Sequence, residues 1–245
     1  MSLSVQQNVI ELRRYLLHPR RREDLITLFD RHLVESQEEC GMSVLGQFRD
    51  LDRPDDFVWL RGFSDMDSRR HSLASFYDGP LWAAHRDEAN ATMERFDDVL
   101  LLHPVGEDTG FALAGVKRPF ASGQAEIGTV FALYTFPLVP ERADDFPAYF
   151  SHVILPVLVE AGAPAGARLE TEQSKNTFPR LPVRDKERVF VWIGRFDSRA
   201  EHHRFARRLH SAPGWQDAMA NAFESFTNAP VSLCRLAPTA RSLLH

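Results

Sequence analysis

Cysteine is almost missing from this 245-residue chain: Cys40 and Cys234 stand alone, far apart and in no zinc or redox spacing. A disulfide framework and a thiolate metal centre are thereby excluded, and reduced, buried thiols in a cytoplasmic protein are the expectation. No apolar run approaches the roughly 20 residues that span a bilayer. The start, MSLSVQQ, has neither a basic nor an apolar leader segment, so neither a membrane span nor a removable leader is expected. HExxH, GxSxG, P-loop and strand-linked GxGxxG patterns are also missing, which leaves zincin, hydrolase and nucleotide-binding chemistry without support. No metal and no cofactor are called for. Lysine is scarce, with Lys117, Lys175 and Lys186 among 29 basic residues, and this arginine bias reads as the codon usage of a GC-rich bacterial genome. A net charge of −5 leaves no footprint for nucleic acid.

What is present is a repetition. FVWLRGFSDMDSRRHSLASFYDGPLW at residues 57–82 returns as FVWIGRFDSRAEHHRFARRLHSAPGW at 190–215, and at an offset of 133 Phe57, Trp59, Phe63, Pro80 and Trp82 fall on Phe190, Trp192, Phe196, Pro213 and Trp215. Pro19 and Gly41 fall on Pro140 and Gly162 at an offset of 121. Two copies of one unit follow. Period-2 patterns predict strands over 9–16, 44–48, 57–63 and 99–103, and helical spacing predicts helices over 22–39 and 67–96, the latter broken at Gly79-Pro80. The second half repeats the order with strands over 129–136, 167–170, 190–196 and 231–236. Its helices run over 142–160, kinked at Pro156, and through a region reaching residue 226. The 12 residues by which the offset grows lie in TEQSKNTFPRLPVRDKER, a polar stretch expected to be a surface loop. The organisation is a first repeat over 1–106, a glycine-containing linker over 107–126 and a second repeat over 127–245.

Each β-α-β-β-α-β unit is the ferredoxin-like split pattern, with two helices on one face of a four-stranded sheet. The other face is apolar as well: Val58 and Leu60 oppose Phe57, Trp59 and Phe63, while Val191 and Ile193 oppose Phe190, Trp192 and Phe196. Leaving such side chains in water costs about 1.5–3 kcal/mol each. The sheet of the other repeat is the simplest cover. The predicted fold is therefore α+β, two tandem ferredoxin-like repeats closing into one intrachain α/β barrel.

The segments ELRRYLLHP, ECGMSVLGQF, FVWLRGFSDMDSRR, SFYDGPLW and VLLLHP, in this order and spacing, resemble the NIPSNAP family over residues 9–104, with 130–238 as a more divergent copy. The resemblance implies a dimeric α/β-barrel fold, closed here within one chain, and leaves a further homodimer open. Two departures stand out. Pro19-Arg20 occupies the place of the family's Pro-Gly, and the second repeat carries Ala132, Tyr134 and Phe136 where the first has Glu11, Arg13 and Tyr15.

If Ile10 and Leu12 face the helices, then Glu11, Arg13 and Tyr15 face the barrel interior, joined by Trp59 and Arg61 and walled by Tyr134, Phe136 and Trp192. Arginines suit a carboxylate or enolate, and the aromatic rings suit a flat apolar body. The competing reading is an internal Glu11–Arg13 or Glu11–Arg61 ion pair that fills the barrel without a ligand. His103, at a strand end, is a candidate general base or a hydrogen-bonded structural residue. His202, His203 and His210 read as solvated, and Arg20–Arg22 as an anion contact or a solvated face. The functional expectation is a NIPSNAP-type protein binding a small, anionic or aromatic molecule in the barrel. Rival readings are a cofactor-independent monooxygenase- or isomerase-like enzyme, a haem binder needing a histidine inside the barrel, and a protein-interaction scaffold. A barrel void above about 300 Å³ favours the ligand, and a packed interior the scaffold.

Overall fold

A computed structural model describes residues 7–120 and 128–245 of the protein. The leader reading at residues 1–6 and the last part of the expected linker, 121–126, lie outside these described residues. Strand β1 (Val9–Leu17) leads through α1 (Arg22–Leu28), a π-helical turn (Phe29–Leu33) and α2 (Val34–Glu39) to β2 (Ser43–Asp50) and β3 (Asp56–Phe63). Then come α3 (Met66–Tyr77), α4 (Pro80–Asn90) and β4 (Met93–Pro104). The second repeat runs β5 (Val130–Leu138), a 3-10 turn (Pro140–Asp145), α5 (Phe146–Tyr149), a second π-helical turn (Phe150–Ile154), α6 (Leu155–Glu160) and β6 (Ala167–Thr171). It closes with β7 (Arg188–Phe196), α7 (Arg199–Ser211), α8 (Pro213–Ser225) and β8 (Ser232–Pro238).

The duplication extends to details that the sequence only hints at. Both π-helical turns sit at the same offset of 121 residues. Pro156 follows the second, yet the first has no proline, so the proline is not what widens the turn. Both helical runs end on a glycine in the left-handed region, Gly41 at φ +90° and Gly162 at φ +104°, with amide bonds back to the preceding turn. Asp65 and Ser198 cap α3 and α7, each accepting from a backbone N–H of the first turn.

The eight strands form one closed barrel in the order β1-β3-β2-β8-β5-β7-β6-β4, every pair antiparallel. The two repeats meet along β2–β8 and β4–β6. The interior is mainly aliphatic: Ile10, Leu12, Val58, Leu60, Leu100 and Leu102 pack with Leu133, Leu169, Val191, Ile193 and Leu236, around the one ring pair Phe48–Phe131. Phe111 and Leu113 of the linker and Leu243 and Leu244 near the C-terminus join the same cluster.

This inverts the expected orientation. Tyr15, Phe57, Trp59 and Phe63 lie under α1–α4, and Phe136, Phe190, Trp192 and Phe196 under the helices of the second repeat. Strand alternation correctly separated the two sets but assigned them to the wrong sides. An eight-stranded barrel leaves an interior about one side chain deep, which branched aliphatics fill. The sheet–helix gap takes the longer rings.

Two further expectations change. The helix predicted to residue 96 ends at Asn90, and β4 already begins at Met93, paired with Leu17. Its residues 94–97 are exposed and mostly charged, a pattern that in sequence reads as a solvated helix. The loop over 172–187 is not wholly at the surface, because Phe178 is buried in the first repeat's core. No helix among the described residues is long and apolar enough to cross a membrane.

Candidate functional site

Three side chains of β1 and two of β3 enter the first repeat's sheet–helix layer because they share one strand parity. Glu11 lies opposite Arg61 and Arg13 opposite Trp59 in the ladder. Glu11 is the hub. It accepts from Arg13 Nη1, Arg61 Nε and Arg69 Nε, each at 2.7 Å, Arg69 arriving from α3. Burial opposes ionisation of Glu11, but Arg61, Arg13 and Arg69 together outweigh it and hold its carboxyl far below the ordinary range. All four groups are at most 1% exposed.

The cluster is not neutral: three guanidiniums surround one carboxylate, and the remaining partners carry no charge. Arg61 Nη1 donates to Gln37 Oε1 at 3.0 Å, and Gln37 in turn donates to the Leu33 carbonyl at the end of the first π-helical turn. Arg13 Nε donates to Tyr15 Oη at 3.1 Å, and Arg69 Nη1 to Asn176 Oδ1 at 3.0 Å. Burial raises the Tyr15 hydroxyl, so it stays protonated at neutral pH. Arg61 sits over Trp59 at 5.1 Å and Arg13 over the same ring at 5.5 Å, spreading positive charge across its π-face. Among the described residues Arg61 Nη2, Trp59 Nε1 and Arg69 Nη2 find no hydrogen-bond partner; Arg69 Nη2 still lies 2.7 Å from the Glu11 carboxylate, which leaves Arg61 Nη2 and Trp59 Nε1 as the two unpaired donors.

Beside the cluster lies a small cavity of about 30 Å³, bounded by Tyr15, Phe29, Gln37, Trp59, Tyr77 and Trp82 among others. Its outer wall is α4, whose only buried residue is Ala89. The barrel interior, where the ligand was expected, is lined by the mainly aliphatic cluster described above.

Sequence reasoning thus assembled Glu11, Arg13, Tyr15, Trp59 and Arg61 correctly as neighbours but set them on the wrong side of the sheet. Tyr134 and Trp192 do not wall this cluster, since both belong to the second repeat's own layer. There Ala132 and Gly194 stand at the places of Glu11 and Arg61, and the Trp192 ring lies where a Cβ on Gly194 would have to be. Trp192 Nε1 donates to the Ala165 carbonyl at 2.9 Å, so this tryptophan, unlike Trp59, is satisfied. Tyr134 lies 5.7 Å from Trp192, and burial lifts its hydroxyl to about 12. His103 ends β4 at the barrel rim, with Nδ1 3.0 Å from the Pro104 carbonyl and Nε2 3.9 Å from Glu170. It faces an open cleft of about 370 Å³ with Asn8, Glu107 and Glu172, apart from the cluster. His202, expected to be solvated, is buried against Phe196 and Phe205. Among the described residues no group of three or more His, Cys, Asp or Glu side chains could hold a metal ion.

Three participants were missed. Arg69 hides in the charged run SRRH, Gln37 in a polar helix, and Asn176 in the insertion of the other repeat. Only Arg69 left a trace, since its place at the offset of 133 is the buried His202.

The NIPSNAP family profile matches residues 10–105, the repeat that carries this cluster. Among curated proteins none matches the chain. Among solved structures it is similar to a proposed monooxygenase from Lactobacillus acidophilus NCFM, at 11% identity over 95% of this chain and 94% of that one, with a TM-score of 0.56. An anthrone oxidase-like protein is similar at 12% identity over 98% and 94%, also with a TM-score of 0.56. An uncharacterised NIPSNAP-like domain protein from Burkholderia xenovorans is 21% identical over 44% of this chain and 94% of that one, with a TM-score of 0.40. At such identities the full-length likeness establishes the fold alone, a tandem α/β barrel. The profile match supplies the family of the first repeat: residues 10–105 are a NIPSNAP-family repeat.

Proposed function

We propose that the first repeat binds a small, flat, anionic molecule between its sheet and its helices. The aromatic body lies against Trp59, Tyr77 and Trp82, and the anionic group takes the free donors of Arg61 and Trp59. One observation carries this reading: a fully buried cluster in which guanidiniums outnumber carboxylates three to one, with two donors left unpaired. Buried charge is costly unless paired, so an under-neutralised cationic cluster favours an incoming anion. The cavity of about 30 Å³ holds no more than a water. Binding therefore requires α4 to swing outward, and with one buried residue α4 is the least anchored wall.

An enzymatic reading, oxygenation or isomerisation of an enolisable aromatic, has the fold analogy in its favour. The cluster stabilises an enolate or phenolate, yet it contains no base: Glu11 is locked as an arginine-bound carboxylate and Tyr15 is protonated. A substrate would have to arrive already ionised. A haem reading has no buried histidine to draw on in the barrel: the one buried histidine among the described residues, His202, packs against Phe196 and Phe205 in the second repeat's sheet–helix layer.

The test is a titration with 2-naphthoate followed by tryptophan fluorescence. Saturable quenching that Arg61→Gln abolishes and Trp59→Phe weakens supports the proposal. A linear, unsaturating response to millimolar concentration in the wild type overturns it.

A further inference from the structure

The insertion over residues 172–187 belongs by sequence to the second repeat, joining β6 to β7. The corresponding β2–β3 connection in the first repeat spans only residues 51–55. Instead of trailing into solvent it crosses onto α3. Thr177 Oγ1 donates to the Met66 carbonyl at 3.1 Å, Phe178 stacks on Tyr77 with centroids 6.0 Å apart, and Arg180 Nη1 bonds Asp78 Oδ1 at 2.5 Å. At its centre Asn176 Oδ1 accepts from both Arg69 Nη1 and the Phe178 amide, each at 3.0 Å. Asn176 Nδ2 donates to the Leu181 carbonyl at 2.9 Å. That third bond, with the obligatory N–H donor of Phe178, fixes which end of the amide faces Arg69.

The position is therefore filled by a neutral acceptor aimed at a buried guanidinium, where a carboxylate of nearly the same shape would cancel one of the excess charges. We propose that Asn176 is a specificity-determining residue: by satisfying Arg69 without neutralising it, this residue of the second repeat keeps the first repeat's site cationic and selects anionic over neutral ligands. The inference rests on the ligand reading above and adds what sets its charge preference. It also gives the tandem arrangement a role, since the second repeat lacks such a cluster of its own and lends a strap to the first.

The experiment compares wild type and Asn176→Asp with 2-naphthoate and its neutral isostere 2-naphthamide, by calorimetry at pH 7. One added buried charge within several ångströms, at the effective dielectric of a protein site, predicts roughly a tenfold loss of naphthoate affinity. The amide should change less than about threefold, within the context dependence of a single neutral contact. An equal loss for both probes, as a displaced strap would produce, overturns the charge role, and so does an unchanged naphthoate affinity. Absence of naphthoate binding in the wild type instead refutes the ligand reading itself. A second readout needs no ligand. Asn176→Asp gives up the Nδ2 bond to the Leu181 carbonyl, but if the cluster is under-neutralised its stability relative to wild type is higher at pH 7 than in acid, where the new carboxylate protonates. A variant less stable than wild type by the same margin at both pH values contradicts the inference.

Discussion

Replacing Glu11 by glutamine is the sharpest perturbation of the buried cluster. The substitution keeps the shape and one acceptor oxygen, but it removes the only negative charge among Arg13, Arg61 and Arg69. Each lost charge-assisted bond is worth about 1.5–3 kcal/mol, and losing one partner of a buried ion pair costs about 3–5 kcal/mol because the survivors stay buried. The substituted amide still accepts from one or two guanidiniums, which places the expected loss near 4 kcal/mol, out of a typical total of about 5–15 kcal/mol. The assay is urea unfolding followed by both fluorescence and far-UV dichroism, and the comparison holds only if the two midpoints coincide. Glu23→Gln serves as the control, since its pair with Arg49 is exposed and is worth no more than about 1 kcal/mol. The pH course is equally specific. Glu11 titrates in the folded state well below its unfolded value, so its stabilisation is present in full above the ordinary carboxylate range and is lost only as pH falls through the folded value. The difference between wild type and Glu11→Gln should therefore stay flat from neutral pH into mild acid. A loss below about 1 kcal/mol, the range of a surface substitution, refutes the reasoning, as does a difference that vanishes by about pH 5.

Three other outcomes follow from the same structure. Trp59→Phe keeps an aromatic ring, though a smaller one, and removes the unpaired Nε1 donor, so 2-naphthoate affinity should fall roughly three- to tenfold, whereas Trp192→Phe should leave it unchanged, both read by titration. Burial lifts the Asp30 carboxyl to about 6, so ionising it costs stability above that pH. Asp30→Asn should thus be more stable than wild type by about 1 kcal/mol at pH 8, after discounting for partial exposure, with the gain gone by about pH 4. Arg20 adopts φ +67°, where a Cβ is strained, so Arg20→Gly should raise stability by up to about 1 kcal/mol in the same urea assay.

The fold was largely legible because duplication and alternation are properties of the chain itself. The offsets of 121 and 133 located both helix-ending glycines, the strand order and the insertion, and the doubly apolar strands required a second sheet. Which face of β1 met that sheet was not legible, since alternation fixes two sets and not their sides. Side-chain size would have helped: Tyr15, Trp59 and Phe63 suit the wide sheet–helix gap, while Leu12 and Leu60 suit the narrow barrel. Arg20 was visible as a residue in a glycine's place, and the structure shows the left-handed backbone that explains why glycine is usual there. Asn176 could not have been found, because its partner Arg69 lies 107 residues away and only the tertiary fold brings them together. The end of the helical region near residue 96 failed for a related reason. β4 is fixed by pairing with β1 and not by any apolar periodicity of its own exposed residues.

The central claim is that the first repeat's sheet–helix layer, and not the barrel, receives an anionic ligand. A crystal structure of the 2-naphthoate complex tests it most directly. The account predicts the naphthyl ring beside Trp59 and Tyr77, its carboxylate within hydrogen-bonding reach of Arg61 Nη2, and α4 displaced outward. Density for the probe only in the rim cleft beside His103, or under the second repeat's helices beside Trp192, with the Arg61 cluster unchanged, would contradict it.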